Sequence, residues 1–404
     1  MPDPVRQQAG SERVVIVGGC GRVGLPLGIA LADRGIDVTL LDLNERAVAT
    51  VNDGRLPFDE PGADPVLRAH IGARLRATTD PAAVSGADIV IIVIGTPVDE
   101  HLNPNPEIVA ATVDELGPHL VDGQCLILRS TIYPGVTALV ERVVAAMGRE
   151  VGVAFCPERI AEGRAMTELY SLPQIVAARD PEVAARAEGL FRHLTEKVIH
   201  LSPEEAELAK LFTNTWRYIR FAIGNQLYTI ANDAGLDFER IRSAMSDDYP
   251  RAADLPAAGF AAGPCLLKDT MQLAAFNNNS FTLGHAAMTV NEGLPLYVVA
   301  RMEDRLDDLR DLTVGVLGMG FKAGSDDTRE SLSYKLKRIL RFKAGAVLCT
   351  DPYVTTDPDL VSLEEVLDRA DVLVIGAPHD EYRELETTLP VFDVWNVLGA
   401  GVLL

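Results

Sequence analysis

The sequence has few of the residues from which disulfides and metal sites are built. Its 404 residues include five widely spaced cysteines, an odd number with no C-x-x-C pair, so neither a disulfide framework nor a zinc site is indicated. The seven histidines form no H-x-x-x-H or H-E-x-x-H pattern, and we therefore expect no metal. Unpaired thiols fit the reducing cytoplasm, which is the compartment that we expect.

Basic residues and long apolar runs are also scarce. The 37 Lys and Arg residues face 58 Asp and Glu residues, which gives a formal net charge of -21. A chain this acidic repels nucleic acid and anionic membrane surfaces, and apolar runs such as residues 89–94 are too short to span a bilayer. Residues 1–12 lack the pattern of a secretion signal, and we expect a disordered leader there. An anionic ligand would need cations close to its own site.

Apolar strands alternate with helical stretches in the first half of the chain. The length and the 48% hydrophobic content predict two or three domains. Non-alternating strands separated by helices are typical of a parallel, doubly wound sheet. The predicted strands are residues 14–17, 36–41, 89–94, 125–128 and 151–155, with a first helix at 25–34.

A long helix is predicted next, from Pro203 to about Ala234, with Ser202 as its N-cap. About 30 helical residues span about 45 Å, a length that suits a connecting element. After residue 312 the strand-and-turn pattern of the first region returns, because residues 370–378 resemble residues 87–97. We therefore expect an α/β fold with two Rossmann-like, doubly wound parallel sheets joined by a long helix and a helical middle domain. The expected domains are residues 13–202, 203–310 and 311–404.

A glycine turn between the first strand and the first helix predicts a dinucleotide site. In Gly19-x-Gly21-x-x-Gly24, the first glycine allows the tight turn, the second lets a pyrophosphate approach, and the third packs helix on strand. Asp42 ends the second strand, where its carboxylate can bind the adenosine ribose and repel a 2′-phosphate, which favours NAD over NADP. The alternative is a turn that serves packing alone. Arg22 and Val23 complete the predicted cofactor turn.

Polar residues follow three further strands. Because parallel strands end at one edge of a sheet, these residues should meet at the edge that the cofactor occupies. The residues are Gly95, Thr96 and Pro97, then Ser130 and Thr131, and then Pro157 and Glu158 with Glu162 one turn later. We assign the first five to cofactor binding, although each alone could be a cap or turn residue.

A polar strip lies on the long helix, since Lys210, Asn214 and Asn225 return to nearly one face. The strip is either solvated surface or a row of donors that could stabilise an oxyanion. Farther on, small residues precede Cys265, and Lys268 with a helix start would favour the thiolate, which is the nucleophilic form. Asp269 is placed to act as a base. We expect the other four cysteines to be buried.

These motifs together resemble the UDP-glucose/GDP-mannose dehydrogenase family over nearly the whole chain, from about residue 13 to Leu404. The shared motifs are Gly19-Cys20-Gly21-Arg22-Val23-Gly24-Leu25-Pro26, Gly95-Thr96-Pro97, Ser130-Thr131 before Pro134-Gly135, Pro157-Glu158, Lys210 with Asn214, Cys265 with Lys268-Asp269, and Phe321-Lys322, Asp326-Asp327 and Arg329-Glu330-Ser331. The resemblance implies a four-electron oxidation of the C6 alcohol of a UDP-sugar to the uronic acid, with NAD as oxidant.

The resemblance also implies residue roles. Cys265 would form a thiohemiacetal and then a thioester, which water would cleave with help from Asp269 and Thr131. Lys210 and Asn214 would hold the oxyanion and the substrate, and Glu158 and Glu162 would assist in the proton and water network. Phe260, Gly263, Lys322 and Arg329 would bind the nucleotide sugar, and the long helix would form much of a homodimer interface.

This sequence departs from the family at several positions. Ala262-Gly263-Pro264 stands where many relatives have two glycines, and the methyl group and ring are expected to narrow the approach to Cys265. Cys156-Pro157-Glu158-Arg159 resembles members that use N-acetylhexosamine nucleotides, whereas residues 265–269 resemble those that use UDP-glucose or GDP-mannose. Two other functions stay open: a catalytically silent NAD- and nucleotide-sugar-binding protein, and a two-electron hydroxyacid dehydrogenase, although no histidine follows a strand end as its base.

Overall fold

A computed structural model describes residues 12–404 and shows two compact units. One unit ends at Phe212 and the other runs from Thr213 to Leu404. The predicted leader at residues 1–12 lies outside the described residues except for Glu12. None of the described helices combines the length and the hydrophobicity that a membrane crossing requires.

The first unit is built on an eight-stranded sheet in the order β3-β2-β1-β4-β5-β6-β7-β8. The strands are β1 (Arg13–Val17), β2 (Asp37–Leu41), β3 (Leu75–Thr78), β4 (Ile89–Ile92), β5 (Cys125–Leu128), β6 (Gly152–Phe155), β7 (Gln174–Ala178) and β8 (Val198–Leu201). Neighbouring strands are parallel, as predicted, except that β7 runs antiparallel to β6. An apolar run does not encode strand direction, so this reversal could not be predicted from the sequence.

Helices cover both faces of this sheet. They are α1 (Gly24–Asp33), α2 (Glu45–Asn52), α3 (Ala63–His70), α4 (Glu107–Leu116), α5 (Val136–Ala146), α6 (Ala165–Ser171) and α7 (Pro181–Phe191). Alternate residues of β1 face opposite layers: Ile16 is buried in the core beside α1, and Val15 is buried in the core beside α4 and α5. This alternation confirms the doubly wound arrangement.

The predicted long helix is α8 (Pro203–Asp233), a continuous helix of 31 residues. Its start is a capping box, because Glu205 N donates to Ser202 Oγ and Ser202 N donates to the Glu205 carboxylate. The buried Glu207 carboxylate accepts bonds from Gly135 N (2.7 Å) and Thr137 N (2.9 Å), which fastens this end of α8 to the start of α5.

The second unit contains a helical part and a second sheet. The helices are α9 (Phe238–Ser246), α10 (Leu266–Phe276), α11 (Thr282–Leu306), α12 (Leu332–Lys343) and α13 (Leu363–Arg369), and the strands are β9 (Thr313–Leu317), β10 (Ala346–Thr350), β11 (Val372–Ile375) and β12 (Val391–Phe392). The strand order is β10-β9-β11-β12, and all pairs are parallel. The predicted second Rossmann-like sheet is confirmed.

Candidate active site

The glycine turn between β1 and α1 leaves room for a ligand at one position. A Cβ atom at Gly19 would lie 2.7 Å from Leu40 Cα, and one at Gly24 would lie 2.5 Å from the Gly18 carbonyl oxygen, so both glycines allow close packing. A Cβ atom at Gly21 would meet nothing closer than 3.4 Å. Gly18, the residue before the motif, has the left-handed backbone conformation of this turn, with φ of +77°. The open side of Gly21 suits the approach of a pyrophosphate.

The start of α1 and the end of β2 provide the complementary groups. Val23 precedes α1 without a side-chain cap, and the first turn of α1 has no acidic residue, so nothing within α1 offsets its positive end. Asp42 is half-buried and accepts hydrogen bonds from Cys20 N and Asn44 N, both at 3.0 Å. These contacts fix the carboxylate beside the turn, where it can accept further bonds from ribose hydroxyls.

The loops after β4 and β5 are joined by their own hydroxyl groups. Thr96 Oγ1 donates to the Thr131 carbonyl at 2.6 Å, and Ser130 Oγ donates to the Ile94 carbonyl at 2.8 Å. The two strands are adjacent, and β4 pairs with β1, so the structure brings these loops to the edge that carries the glycine turn, as predicted. The remaining predicted residues of this edge are Gly95 and Pro97.

Glu158 follows β6, and both of its carboxylate oxygens bond to groups of the protein. One carboxylate oxygen pairs with the fully buried Arg129, and the other accepts Arg159 N (2.6 Å) and Ile160 N (2.9 Å). Arg129 also donates to the Cys156 carbonyl at 3.1 Å. Arg129 was not among the predicted site residues, although it directly follows the apolar strand β5, a position that indicates a place at the functional edge of the sheet. The pair shapes the loop that carries the predicted residues after β6.

Glu162 contacts the glycine turn. Its Oε1 accepts a hydrogen bond of 3.0 Å from Arg22, and the Arg22 guanidinium lies 4.9 Å from the centre of the Phe58 ring. The segment just after Glu162 is held by the buried Glu60, whose carboxylate accepts Gly163 N and Ala165 N at 3.0 and 2.8 Å. The structure therefore brings together one predicted catalytic residue and one predicted cofactor residue.

Cys265 is the exposed cysteine among the five, and it immediately precedes α10. The other four thiols are buried, and burial raises the pKa of Cys20 and Cys156 to about 12 and that of Cys125 and Cys349 to about 11. A helix N-terminus stabilises a thiolate, whereas a buried apolar site suppresses it. The expectation of one accessible and four buried thiols is confirmed.

Asp269 lies one turn after Cys265 and is fully buried. Its Oδ2 accepts a 2.5 Å hydrogen bond from Asn214 Nδ2, and the Lys268 ammonium lies 3.0 Å from its Oδ1. The Lys268 contact is an ion pair rather than a hydrogen bond, because Oδ1 accepts no hydrogen bond of suitable geometry. Asn214, Lys268 and Asp269 thus form one cluster beside the thiol-bearing end of α10.

The polar strip of α8 divides into separate roles. Lys210 is buried. Among residues 12–404, which the structure describes, no acidic side chain forms an ion pair with it. Asn225 does not point into a cleft with Lys210 and Asn214, because its amide exchanges two hydrogen bonds with the Gly259 backbone and donates a third to Asn291. Asn225 therefore fixes the segment that leads to Cys265.

The segment before Cys265 is closely packed. Phe260 is buried with its ring edge-on to Trp395, at a centroid distance of 6.0 Å. The Ala262 side chain packs against the apolar core of the second unit, so its methyl group does not narrow the approach to the thiol in the way that the sequence suggested. Gly263 has φ of +101°, and its N–H donates to the Glu330 carbonyl at 3.2 Å.

A second glycine turn, Gly318-Met319-Gly320, follows β9. It differs from the first turn in the number of hydrogen bonds that the neighbouring carboxylate accepts. Asp351, the counterpart of Asp42, is fully buried and accepts Met319 N (2.6 Å), Gly320 N (2.9 Å) and His379 Nε2 (3.0 Å) on one oxygen. Its other oxygen accepts two further backbone N–H groups. Burial alone would raise the pKa of Asp351, but these hydrogen bonds lower it to about 2.

The predicted substrate cations lie in the loop after this turn. Arg329 forms three hydrogen bonds to the buried Asp327 carboxylate, the shortest at 2.6 Å. The Lys322 ammonium lies 5.6 Å from the centre of the Phe321 ring. His379 also holds this loop, because Gly324 N donates to its Nδ1 at 3.1 Å. The pairing of His379 with Asp351 was not predicted, because the two residues are 28 positions apart in the chain.

Three domain descriptions match the sequence, and all belong to the UDP-glucose/GDP-mannose dehydrogenase family. They are the NAD-binding domain at residues 12–195, the central domain at 204–293 and the UDP-binding domain at 315–400. Similar proteins include an NDP-N-acetyl-D-galactosaminuronic acid dehydrogenase of Ralstonia nicotianae, 29% identical over 93% of each chain. A UDP-N-acetyl-D-mannosamine dehydrogenase of Yersinia pestis is 29% identical over 97% of this chain and 99% of its own.

Solved structures agree with this assignment. A UDP-glucose dehydrogenase from Pyrobaculum islandicum has a TM-score of 0.89 at 27% identity and covers 97% of this chain and 96% of its own. A UDP-N-acetyl-D-mannosamine dehydrogenase from Pyrococcus horikoshii also has a TM-score of 0.89, at 26% identity, and covers 95% of this chain and 96% of its own.

Proposed function

Since the chain belongs to the UDP-glucose/GDP-mannose dehydrogenase family, we propose that it oxidises the C6 alcohol of a UDP-sugar to a carboxylate in two NAD-dependent steps. It is a nucleotide-sugar dehydrogenase with an NAD-binding domain. The observation that carries the four-electron proposal is the exposed Cys265 at the start of α10, with the buried Asp269 one turn later.

The thiol retains the intermediate between the two oxidations. The turn at Gly19, Gly21 and Gly24, together with Asp42, would hold NAD, which when bound would supply the hydride acceptor for both oxidations. The Cys265 thiolate adds to the aldehyde carbon, so that a C–S bond forms and the carbonyl π bond becomes an alkoxide, which is protonated to a thiohemiacetal. Loss of the second hydride and of the hydroxyl proton gives a thioester. Water then adds to the thioester carbon and the C–S bond breaks, which releases the carboxylate, a proton and the thiol.

The neighbouring groups suit these steps. Lys210 is buried without an ion pair that the described residues show, and its charge would stabilise the oxyanion. Asn214 holds Asp269 at 2.5 Å, so the carboxylate is oriented to take a proton from water, with Thr131 assisting. Glu162, which accepts a hydrogen bond from Arg22, would assist in the proton and water network. Glu158 would act through the loop that it holds.

The nucleotide would bind the second Rossmann-like sheet, which corresponds to the UDP-binding domain of the family. Lys322 and Arg329 would supply the local positive charge that an acidic chain needs for a diphosphate, and the backbone around Phe260 and Gly263 would face the sugar. We propose domains at residues 13–202, 203–310 and 311–404, close to the three matched ranges.

The sugar is proposed to be an N-acetylhexosamine or glucose attached to UDP. Relatives named for N-acetylhexosamine nucleotides favour the former, and the solved UDP-glucose dehydrogenase keeps the latter in the panel. UDP-glucose, UDP-N-acetylglucosamine, UDP-N-acetylmannosamine and GDP-mannose should be compared by kcat/KM with NAD. Binding without turnover of any sugar would indicate the catalytically silent alternative.

Stoichiometry tests the covalent mechanism. Two NADH should form for each sugar consumed, with the uronic acid as product. Cys265→Ala should form no acid but still bind NAD, whereas the matched control Cys349→Ala, which alters a buried thiol, should keep the full stoichiometry. One NADH per sugar in the wild-type protein, or acid formation by Cys265→Ala, would overturn the role of the thiol and favour a two-electron dehydrogenase.

We also propose a cytoplasmic homodimer. Trp216, Ile223 and Ile230 are exposed at seven-residue intervals on α8, a spacing that forms one apolar stripe along a helix. Exposed apolar stripes of this kind mark protein interfaces. Sedimentation should give a dimer for the wild-type protein and a monomer for Trp216→Lys/Ile223→Lys. Unpaired thiols support the reducing cytoplasm.

A further inference from the structure

We propose that the nucleotide loop, residues 318–331, positions Cys265, and that Phe321 is the positioning residue through which a bound nucleotide diphosphate changes the placement of the thiol. The inference deepens the proposed function and rests on its assignment of the diphosphate to this loop. All the residues that carry it belong to the second unit.

Two contacts join the nucleotide loop to the segment before Cys265. A Cβ atom at Gly263 would lie 2.6 Å from Phe321 Cδ2, so the ring lies directly against the Gly263 backbone. Gly263 N also donates to the Glu330 carbonyl at 3.2 Å. Only Pro264 separates Gly263 from Cys265. Because the proline ring restricts φ, a displacement of the Gly263 backbone should also displace Cys265.

The other end of this segment is anchored elsewhere. Asn225 exchanges hydrogen bonds of 2.9 and 3.0 Å with the Gly259 backbone. A side chain at Gly259 would collide with the Trp395 ring, against which Phe260 also packs edge-on. Residues 259 and 260 are held by α8 and by the core. The nucleotide loop therefore contacts and positions only the end of the segment next to the thiol, at residues 263–265.

The predicted phosphate-binding cations are the chain neighbours of these two contacts. Lys322 follows Phe321 and lies over its ring, and Arg329 precedes Glu330 and is fastened to Asp327. Glu330 has φ of +53°, an uncommon conformation for a non-glycine residue that stores strain. A diphosphate that binds Lys322 and Arg329 would therefore shift the Phe321 ring and the Glu330 carbonyl, the two groups that contact Gly263.

The rate at which iodoacetamide alkylates Cys265 in the full-length protein measures this coupling without catalysis. Mass spectrometry of the modified peptide gives the rate with and without saturating UDP, and calorimetry gives the affinity for UDP. UDP should change the wild-type rate about fivefold or more, the factor expected for a coupling of moderate strength. Phe321→Ala should alter the rate without UDP and should reduce the UDP effect to less than about twofold.

Two further variants separate positioning from loss of structure. Phe342→Ala removes a ring that is 90% exposed on α12 and should retain the wild-type UDP effect. Phe321→Leu, which keeps an apolar side chain against Gly263, should restore part of the effect. In turnover, Phe321→Ala should lower kcat while KM for the nucleotide sugar stays within about threefold, because diphosphate binding itself is kept.

These measurements distinguish failure of the coupling between UDP and Cys265 from failure of the proposed function. A UDP effect in Phe321→Ala equal to that of the wild type, or no UDP effect on the wild-type rate although UDP binds, would refute the inference alone. Absence of turnover with every nucleotide sugar, while UDP still alters alkylation through Phe321, would refute the proposed function and leave the coupling intact.

Discussion

Removal of the Glu158 carboxylate should destabilise the first unit strongly. Glu158→Ala leaves the Arg129 guanidinium, whose side chain is 0% exposed, without its ion-pair partner. It also removes the acceptor of Arg159 N and Ile160 N. Breaking a buried pair by removing one partner costs about 3–5 kcal/mol, whereas the two backbone groups are half-exposed and can bond to water instead. We therefore expect a loss of about 3–5 kcal/mol in the free energy of unfolding.

Urea-induced unfolding followed by far-UV circular dichroism is the assay. The double variant Arg129→Met/Glu158→Leu should recover most of the loss, because it removes the uncompensated charge. Glu365→Ala, which breaks the exposed pair with Arg369, is the matched control and should leave the midpoint unchanged. A wild-type midpoint in Glu158→Ala, combined with lost activity, would refute the reasoning and make Glu158 a catalytic group.

Three further predictions follow from single residues. In the native protein, iodoacetamide should modify Cys265 rapidly and the four buried cysteines only after unfolding; rapid labelling of a second cysteine would contradict the packing. Asp42→Ala should raise the ratio of kcat/KM with NADP to that with NAD by about tenfold or more, because a repulsion is removed; an unchanged ratio would exclude Asp42 from cofactor choice. Asp351 has a pKa of about 2, below its usual 3.8, so its contribution of about 2 kcal/mol is present above about pH 4 and is lost as the pH falls towards about 2. Asp351→Asn should abolish that part of the acid dependence of stability, and equal acid midpoints for variant and wild type would contradict it.

The sequence predicted β1, β2, β4, β5 and β6 of the first sheet because their apolar runs are continuous. Residues 125–128 were predicted as a strand and form β5 with the same bounds. The strands β3, β7 and β8 of this sheet were not predicted. Both β3 and β8 are edge strands that contain polar or exposed residues. In contrast, β7 is an interior strand whose short apolar run after Gln174 cannot be distinguished from a helical segment by periodicity. The strand predicted at residues 89–94 was two residues too long, because β4 ends at Ile92, before the loop that carries Thr96.

The candidate site was predictable where a motif reflects local geometry. The turn around Gly21, the polar ends of β4 and β5, and the exposed thiol before α10 follow from short stretches of sequence. The partners of those residues depend on contacts between distant segments. Asn225 was interpreted as one of a row of donors, but its bonds to Gly259 cross 34 residues, and the Arg129 to Glu158 pair crosses 29. Helical spacing alone could not show either contact.

The second glycine turn has a consequence for the order of events during turnover. The five donors around Asp351 occupy its carboxylate, whereas Asp42 accepts two hydrogen bonds and is half-buried, so the dinucleotide position is assigned to the first turn. In the proposed mechanism, two oxidations at one position require the reduced cofactor to leave and a fresh one to bind while the half-oxidised sugar is retained. The fraction of aldehyde that escapes would then depend on how its release from Cys265 competes with cofactor exchange and the second hydride transfer.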